Sequence, residues 1–394
     1  MITALLAISL AACAADGPLR QVVTMRLADQ EGASRKLGPG NCQWLEPCDA
    51  PQERLLVEPK YRSRPIYYAA RYGDAKDNLY TMVLDESNGP GRGYDTLYVD
   101  ANNDNRIDAV RERFAVRVGD LSHKGPLRVR LQVTSGGVTA PYSVTLSAFE
   151  YCDAKFPVPG IHITLRDSSC YMGEAVFGGK IRKIAVADLN ANGLFNDVEQ
   201  GPFEGDRFYV ALDDAGQFYE SFPCGKFTQI SGQWYSVAVS PGGGRVEIAA
   251  AKPPLGKIQA PEGIVGARLN SPSQPVDLDF QDGADEAVAG TYRVHAVQLL
   301  AGNGWALPGS FPDGEPELIV REGKTVRLAA GLPLVVEPQV VADSDRTLRI
   351  SLRIIGAGGE SYRWSPRRGS SAQAGFEIYD ASGGKIASGG FEYG

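Results

Sequence analysis

Leu127-Arg128-Val129-Arg130-Leu131-Gln132-Val133 alternates aliphatic and polar residues without a break. A period of two sends the aliphatics to one face of a strand and the arginines and Gln132 to the other. The same alternation appears on both sides of it. Phe114-Ala-Val116-Arg-Val118 precedes it, and Tyr142-Ser-Val144-Thr-Leu146 and Ile161-His-Ile163-Thr-Leu165 follow. Further strands are expected at Gln21–Leu27, Pro65–Tyr72, Asn78–Leu84, Tyr94–Val99, Ile181–Ala187, Arg207–Leu212, Gln233–Val239 and Arg245–Ile248. Beyond Lys252-Pro-Pro254 the pattern resumes at Val276–Phe280, Gly290–Ala296, Thr325–Leu328, Leu348–Ile354, Phe376–Tyr379 and Lys385–Ser388. The 46 Gly and 25 Pro supply the turns that so many short strands need. The expected fold is all-β and multi-domain, with antiparallel sheets or sandwiches and little helix.

The 394 residues are enough for two or three cores, and an apolar share of 43% marks a globular chain. Four segments are expected: an export signal at 1–15, an N-terminal β region at 16–90, a duplicated β module at 91–250 and a sandwich at 259–394. A net charge of −7, with Lys and Arg scattered through the strands, argues against nucleic acid as a partner. Gly89-Pro-Gly-Arg-Gly93 reads as a turn, because it lacks the Lys-Ser/Thr ending of a phosphate loop.

Two strands run into Asx-rich loops. The first is Asp100-Ala-Asn102-Asn-Asp104-Asn-Arg106-Ile-Asp108, and the second is Asp188-Leu-Asn190-Ala-Asn192-Gly-Leu194-Phe-Asn196-Asp-Val-Glu199. Oxygen-bearing side chains fall at positions 1, 3, 5 and 9 of both, and position 8 is apolar in both, Ile107 and Phe195. A calcium ion takes six to eight oxygens, and alternate residues of a tight loop deliver them. Arg106 and Leu194 stand where a backbone carbonyl is the donor. Gly193 occupies position 6, where the chain turns sharply, and Asn105 replaces it in the first loop. These loops resemble those of EF-hand and dockerin proteins. The resemblance implies Ca²⁺ held by Asp100, Asn102, Asp104, Arg106 and Asp108, and by Asp188, Asn190, Asn192, Leu194, Asn196 and Glu199. It covers the loops alone, since strands enter them where the family has helices. Position 12 of the first loop is Arg111, so its last ligand must be Glu112, a distant carboxylate or water. Asp206 reads as a surface turn acid or an extra ligand. The rival reading of both loops is a pair of ordinary Asx-capped turns. A dissociation constant of ~10⁻⁴ to 10⁻³ M is expected, as for extracellular modules.

The apolar run Ile2–Ala12 is too short to span a bilayer. It ends in Leu10-Ala11-Ala12-Cys13, which is similar to the lipobox of bacterial lipoproteins and implies lipidation of Cys13. No Lys or Arg precedes the run, a departure from that pattern. Ala12-Cys13-Ala14 also fits the site at which an ordinary signal peptide is cut. Both readings place the mature chain outside the cytoplasm, lipid-anchored, secreted or periplasmic. In an oxidising compartment cysteines pair, and proximity favours Cys42 with Cys48 and Cys152 with Cys170, leaving Cys224 odd.

Gly290-Thr-Tyr-Arg-Val294, the strand start Gly323-Lys-Thr325 and Gly331-Leu-Pro-Leu334 resemble Ig-like or prealbumin-like modules of surface proteins, over roughly residues 260–394. That likeness implies a structural or interaction module. Catalysis finds little support. His123, His162 and His295 lack metal-ligand neighbours, no G-x-S-x-G occurs, and a His162–Cys170 nucleophile and base compete with the disulfide reading. The chain is expected to be a non-catalytic, exported, calcium-stabilised structural or interaction protein of the cell envelope, its partner an envelope protein or polysaccharide. Trp44, Trp234, Trp305 and Trp364 motivate the alternative of a calcium-dependent carbohydrate-binding or accessory module. An extracellular hydrolase with a dispersed site ranks third.

Overall fold

A computed structural model describes residues 20–29, 37, 42–118, 127–151, 160–167, 169–198, 205–213, 216, 219–280, 282–300, 306–312, 314–344, 347–362 and 375–390. The sequence readings at Cys13, His123, Cys152, Glu199, Trp305 and Trp364 lie outside these residues. Strand is nearly the only regular structure among the described residues, arranged in several antiparallel sheets, as the alternating pattern predicts.

Strands are numbered β1–β30 in chain order. The first is β1 (Arg20–Thr24), followed directly by β2 (Arg26–Asp29) and then β3 (Cys42–Leu45). The meander β4 (Ile66–Arg71), β5 (Leu79–Asp85), β6 (Thr96–Val99) and β7 (Arg113–Ala115) forms one sheet. A second sheet runs β3-β10-β9-β8, from β8 (Leu127–Ser135), β9 (Val138–Tyr151) and β10 (Gly160–Asp167). A third orders β14-β13-β12-β11-β2, from β11 (Ser169–Phe177), β12 (Lys180–Ala187), β13 (Arg207–Ala211) and β14 (Tyr219–Pro223). The fourth, β1-β17-β16-β15, uses β15 (Phe227–Ile230), β16 (Gln233–Val239) and β17 (Arg245–Ala250).

The single strand expected over Gln21–Leu27 is thus two strands in two sheets. Met25 is the corner: its side chain is buried and its N–H donates to Gly244 O at 2.9 Å. One core, from Met25 to Ile248, joins all four sheets and draws in residues on both sides of position 90.

A separate core runs from Ile258 to Tyr362. Its smaller sheet is β21-β18-β25, from β18 (Leu255–Gln259), β21 (Ala284–Val288) and β25 (Thr325–Arg327), with β18 and β25 parallel. Its larger sheet is β20-β19-β22-β23-β28-β27-β26, with β24 also on β22. These are β19 (Ile264–Asn270), β20 (Val276–Asp279), β22 (Gly290–Leu300), β23 (Ala306–Ser310), β24 (Glu317–Val320), β26 (Val335–Ser344), β27 (Thr347–Ile355) and β28 (Ser361–Tyr362). The hairpin of β29 (Gly375–Tyr379) and β30 (Lys385–Gly390) forms its own two-stranded sheet.

The strands that feed the Asx-rich loops lie deep in the fold. Every residue of β5 and β6 is buried. Alternation sends Tyr80, Met82 and Leu84 of β5 into the main core, while Val83 joins Leu55, Tyr67, Tyr98 and Ile107 in a satellite cluster on the other face. β12 divides likewise, with Ile184 and Val186 in the main core and Ala185 and Ala187 in a cluster with Leu37, Cys170 and Tyr209.

The expected Cys42–Cys48 disulfide is absent. Cys42 opens β3, which pairs with β10, whereas Cys48 bridges Tyr67 beside β4. A fully extended stretch of that length spans up to roughly 20 Å, several times the disulfide span of about 6 Å. Cys170 is a buried thiol in the Leu37–Tyr209 cluster, and the thiol of Cys224 is also buried, which pushes its pKa up.

Candidate metal centre

β6 delivers Asp100 and β12 delivers Asp188 directly into their loops, and the two loops fold in the same way. The position-1 carboxylate accepts from the N–H groups of positions 5 and 6. For Asp100 these are Asp104 N at 3.2 Å and Asn105 N at 2.9 Å; for Asp188 they are Asn192 N at 3.3 Å and Gly193 N at 2.6 Å. At position 3, Asn102 Oδ1 and Asn190 Oδ1 each accept from the N–H of position 5 at 3.2 Å. At position 5, Asp104 Oδ1 and Asn192 Oδ1 accept from the N–H of position 7, Arg106 at 2.9 Å and Leu194 at 2.8 Å. Positions 4 and 6 have positive φ in both: Asn103 57° and Asn105 60°, Ala191 58° and Gly193 83°. Asn and Gly enter this region readily, but Ala does not, so Ala191 is held there by the loop around it.

A second carboxylate closes each loop from outside the repeated motif. Glu112 accepts from Ala101 N at 2.9 Å and Asp108 N at 2.8 Å, tying position 2 to position 9. Asp206 accepts from Leu189 N at 3.1 Å and Asp197 N at 2.7 Å, tying position 2 to position 10. Glu112 therefore does reach back into the first loop. Asp206 is no surface acid, being fully buried. The signal for Glu112 was its place just past position 12. Asp206 had no local signal, because its role is set by where β13 begins.

Each loop thus buries two acids in one place. Burial, then Glu112, raises the Asp100 pKa to about 6. Burial raises Asp188 as well, and Asp206 is raised by burial and then by Asp188. Tyr142 Oη donates to Asp188 Oδ2 at 2.7 Å, which partly offsets the shift there. Two desolvated carboxylates in one site favour taking up a proton or a cation.

The remaining ligands expected from the sequence are less uniform. Asn190 and Asn192 both turn their amide nitrogens to Asp197 Oδ2, at 3.1 and 2.6 Å, and Asn102 does the same to Asp104 Oδ2 at 3.0 Å. Asp108 faces the exit turn, accepting from Val110 N and Arg111 N at 2.8 and 3.0 Å. Among the described residues no group of three or more His, Cys, Asp or Glu stands in metal-holding array. Any ion there would draw on amide and main-chain oxygens beside the two acids.

Both loops rest on β8. Gln132 N donates to Ala101 O at 2.8 Å, and Ser135 Oγ donates to Gly193 O at 2.7 Å. Three tyrosines pack together in the main core: Tyr72 meets Tyr80 edge-on with ring centres 5.5 Å apart and Tyr142 at a tilt with centres 5.3 Å apart. Gly73 N also donates to Asn192 O at 2.7 Å. Of the tryptophans, Trp44 is half-exposed and donates from Nε1 to His162 Nδ1 at 3.1 Å, while Trp234 lies partly buried in β16. Comparison with protein-family models, curated proteins and solved structures finds no match to this chain.

Proposed function

We propose that this is an exported, non-catalytic β-protein of the cell envelope whose two Asx-rich loops each bind one Ca²⁺, and that the ions stiffen the framework. One observation carries the reading. Two loops far apart in sequence share the same hydrogen bonds at positions 1, 3 and 5, and each buries a second acid, Glu112 or Asp206, against its first. An Asx-capped turn needs no second buried acid, whereas a divalent cation offsets one. Both loops sit on one strand beside the main core, which suits ions that hold a scaffold rather than ions that signal.

At ten times the dissociation constant an ion adds about 1.4 kcal/mol per site. In a body of this size the two sites together should raise the melting temperature by roughly 5 °C. Calorimetry in 10 mM Ca²⁺ against EDTA measures that rise, and Asp188→Ala should remove about half of it. Tb³⁺ luminescence excited through Tyr142 reports occupancy of the second loop directly. No rise and no Tb³⁺ signal would end the calcium reading. The envelope assignment rests on residues 1–15: Cys13→Ser should release the chain from membranes, and unchanged fractionation would favour a cleaved signal peptide.

A further inference from the structure

The second Asx-rich loop borders the place where the first core meets the second. Asp206 and Arg207 are consecutive at the start of β13. The buried carboxylate of Asp206 closes the loop through Leu189 N and Asp197 N. Arg207, also buried, leaves the first body: its Nη1 donates to Asp277 Oδ2 on β20 at 2.6 Å. Within the sheet, Arg207 lies opposite Ala187, the residue before Asp188, and opposite Pro223 of β14. One row across three strands therefore holds the entry to the loop, the neighbour of its closing acid and the end of β14.

A second connection starts from that end of β14. Cys224 N donates to Asp206 O at 3.0 Å, and Cys224 Sγ lies 3.9 Å from Phe195 O, position 8 of the loop. The residues that follow grip the second body. Lys226 N donates to Ser273 O at 3.1 Å, and Phe227 N donates to Gln274 Oε1 at 2.7 Å. Gly225 passes close by, since a Cβ there would stand 3.3 Å from Pro275 Cδ. Residues 206–207 and 224–227 thus each touch the loop at one end and residues 273–277 at the other. The first loop faces inward instead: Leu56 N donates to Asn105 O, Ile107 N to Val57 O and Gln132 N to Ala101 O, all inside the first body.

We propose that an ion in the second loop holds the second body to the first through these two connections, an inference that rests on the calcium reading. With no cation between them, Asp188 and Asp206 repel in a dry site. Withdrawal of Asp206 relieves the repulsion, and it carries the Arg207 backbone and the Cys224 bond with it, slackening the grip on 273–277. A divalent cation removes the repulsion and fixes the start of β13 where the clamp needs it. Coupling of this kind is reciprocal, so a loosened junction must also weaken the ion.

Both directions are measurable on the full chain. The amides of Lys226 and Phe227 donate across the junction, so their hydrogen exchange reports it directly. Ca²⁺ in place of EDTA should slow that exchange about fivefold or more. Asp188→Asn should abolish the slowing, and Asp100→Asn, in the other loop, should leave it. In the reverse direction, Asp277→Asn with Gln274→Ala changes only the second body. In an Asp100→Asn background, where the second loop alone binds Tb³⁺, that pair should weaken Tb³⁺ affinity by about the same factor. Junction amides indifferent to Ca²⁺, or unchanged Tb³⁺ affinity in the Asp277 and Gln274 variant, would overturn the coupling and leave the calcium reading standing. No Tb³⁺ signal from the second loop would end both.

Discussion

Asp188 and Asp206 bring two carboxylates into one dry site, and Asp100 with Glu112 repeats the arrangement on a smaller scale. Without a cation, a proton is what relieves them. Asp100 is held at about 6, chiefly by burial and then by Glu112. Its folded pKa lies above the ordinary aspartate value of about 3.9. The folded protein therefore binds this proton more tightly than the unfolded chain does. The resulting stability is present below the ordinary value and is lost as pH rises through about 6. In EDTA the melting temperature should fall between pH 4 and 6, and Asp100→Asn should flatten part of that slope. In Ca²⁺ the fall should shrink, since the cation replaces the proton. A melting temperature in EDTA that is indifferent to both pH and the substitution would show that the acids are relieved in some other way.

At the scale of elements, the turn between β16 and β17 acts as a wedge under the second loop. Phe195 N donates to Pro241 O at 2.8 Å, and Gly243 sits at φ 70° against the loop's apolar residue. A Cβ on Gly243 would come within 2.5 Å of Tyr171 and 2.8 Å of Phe195. Gly243→Ala combines a left-handed penalty of about 1–2 kcal/mol with an overpacking cost of about 1–3 kcal/mol. It should lower the melting temperature markedly and weaken the Tb³⁺ signal. Gly244→Ala, whose Cβ would meet nothing within 4 Å, is the control and should cost far less. The sequence predicts this hairpin and the strands around it, because alternation and Gly-Pro turns are local signals. It does not reveal that Met25 turns the first strand into two sheets, or that Asp206 returns to close the loop. Those depend on pairings between residues far apart in the chain. The Cys42–Cys48 pairing failed for a related reason: nearness in sequence says nothing of distance along an extended strand.

Across the whole molecule, the two cores meet through a small polar junction. Arg207, the residue after Asp206, reaches Asp277 at 2.6 Å, and Arg268 holds the other oxygen of Asp277 at 2.8 Å. Gln274 adds a two-pronged bond to the main chain of Phe227, at 2.7 and 2.8 Å. Burial pushes the Asp277 pKa up, but Arg207 and then Arg268 outweigh it and hold the carboxyl below its usual range. The clamp therefore holds above the ordinary carboxylate range and weakens as pH falls through the depressed value. Asp277→Asn should loosen the junction at neutral pH. Limited proteolysis should then cut faster at 250–255, and the two cores should melt in separate steps. Uncut, single-step melting would mean that the contacts left in place, Gln274 with Phe227 among them, are enough to join the cores. The pairing of β1 with β17 has a mechanical consequence. Arg20 lies opposite Ala249, so the chain enters and leaves the first body at one end of the same ladder. Tension between whatever tethers the segment before Arg20 and a load on the second body would peel these strands apart one rung at a time. Until those strands part, the rest of the first body carries little of the load; afterwards the pull passes through β2 and its pairing with β11.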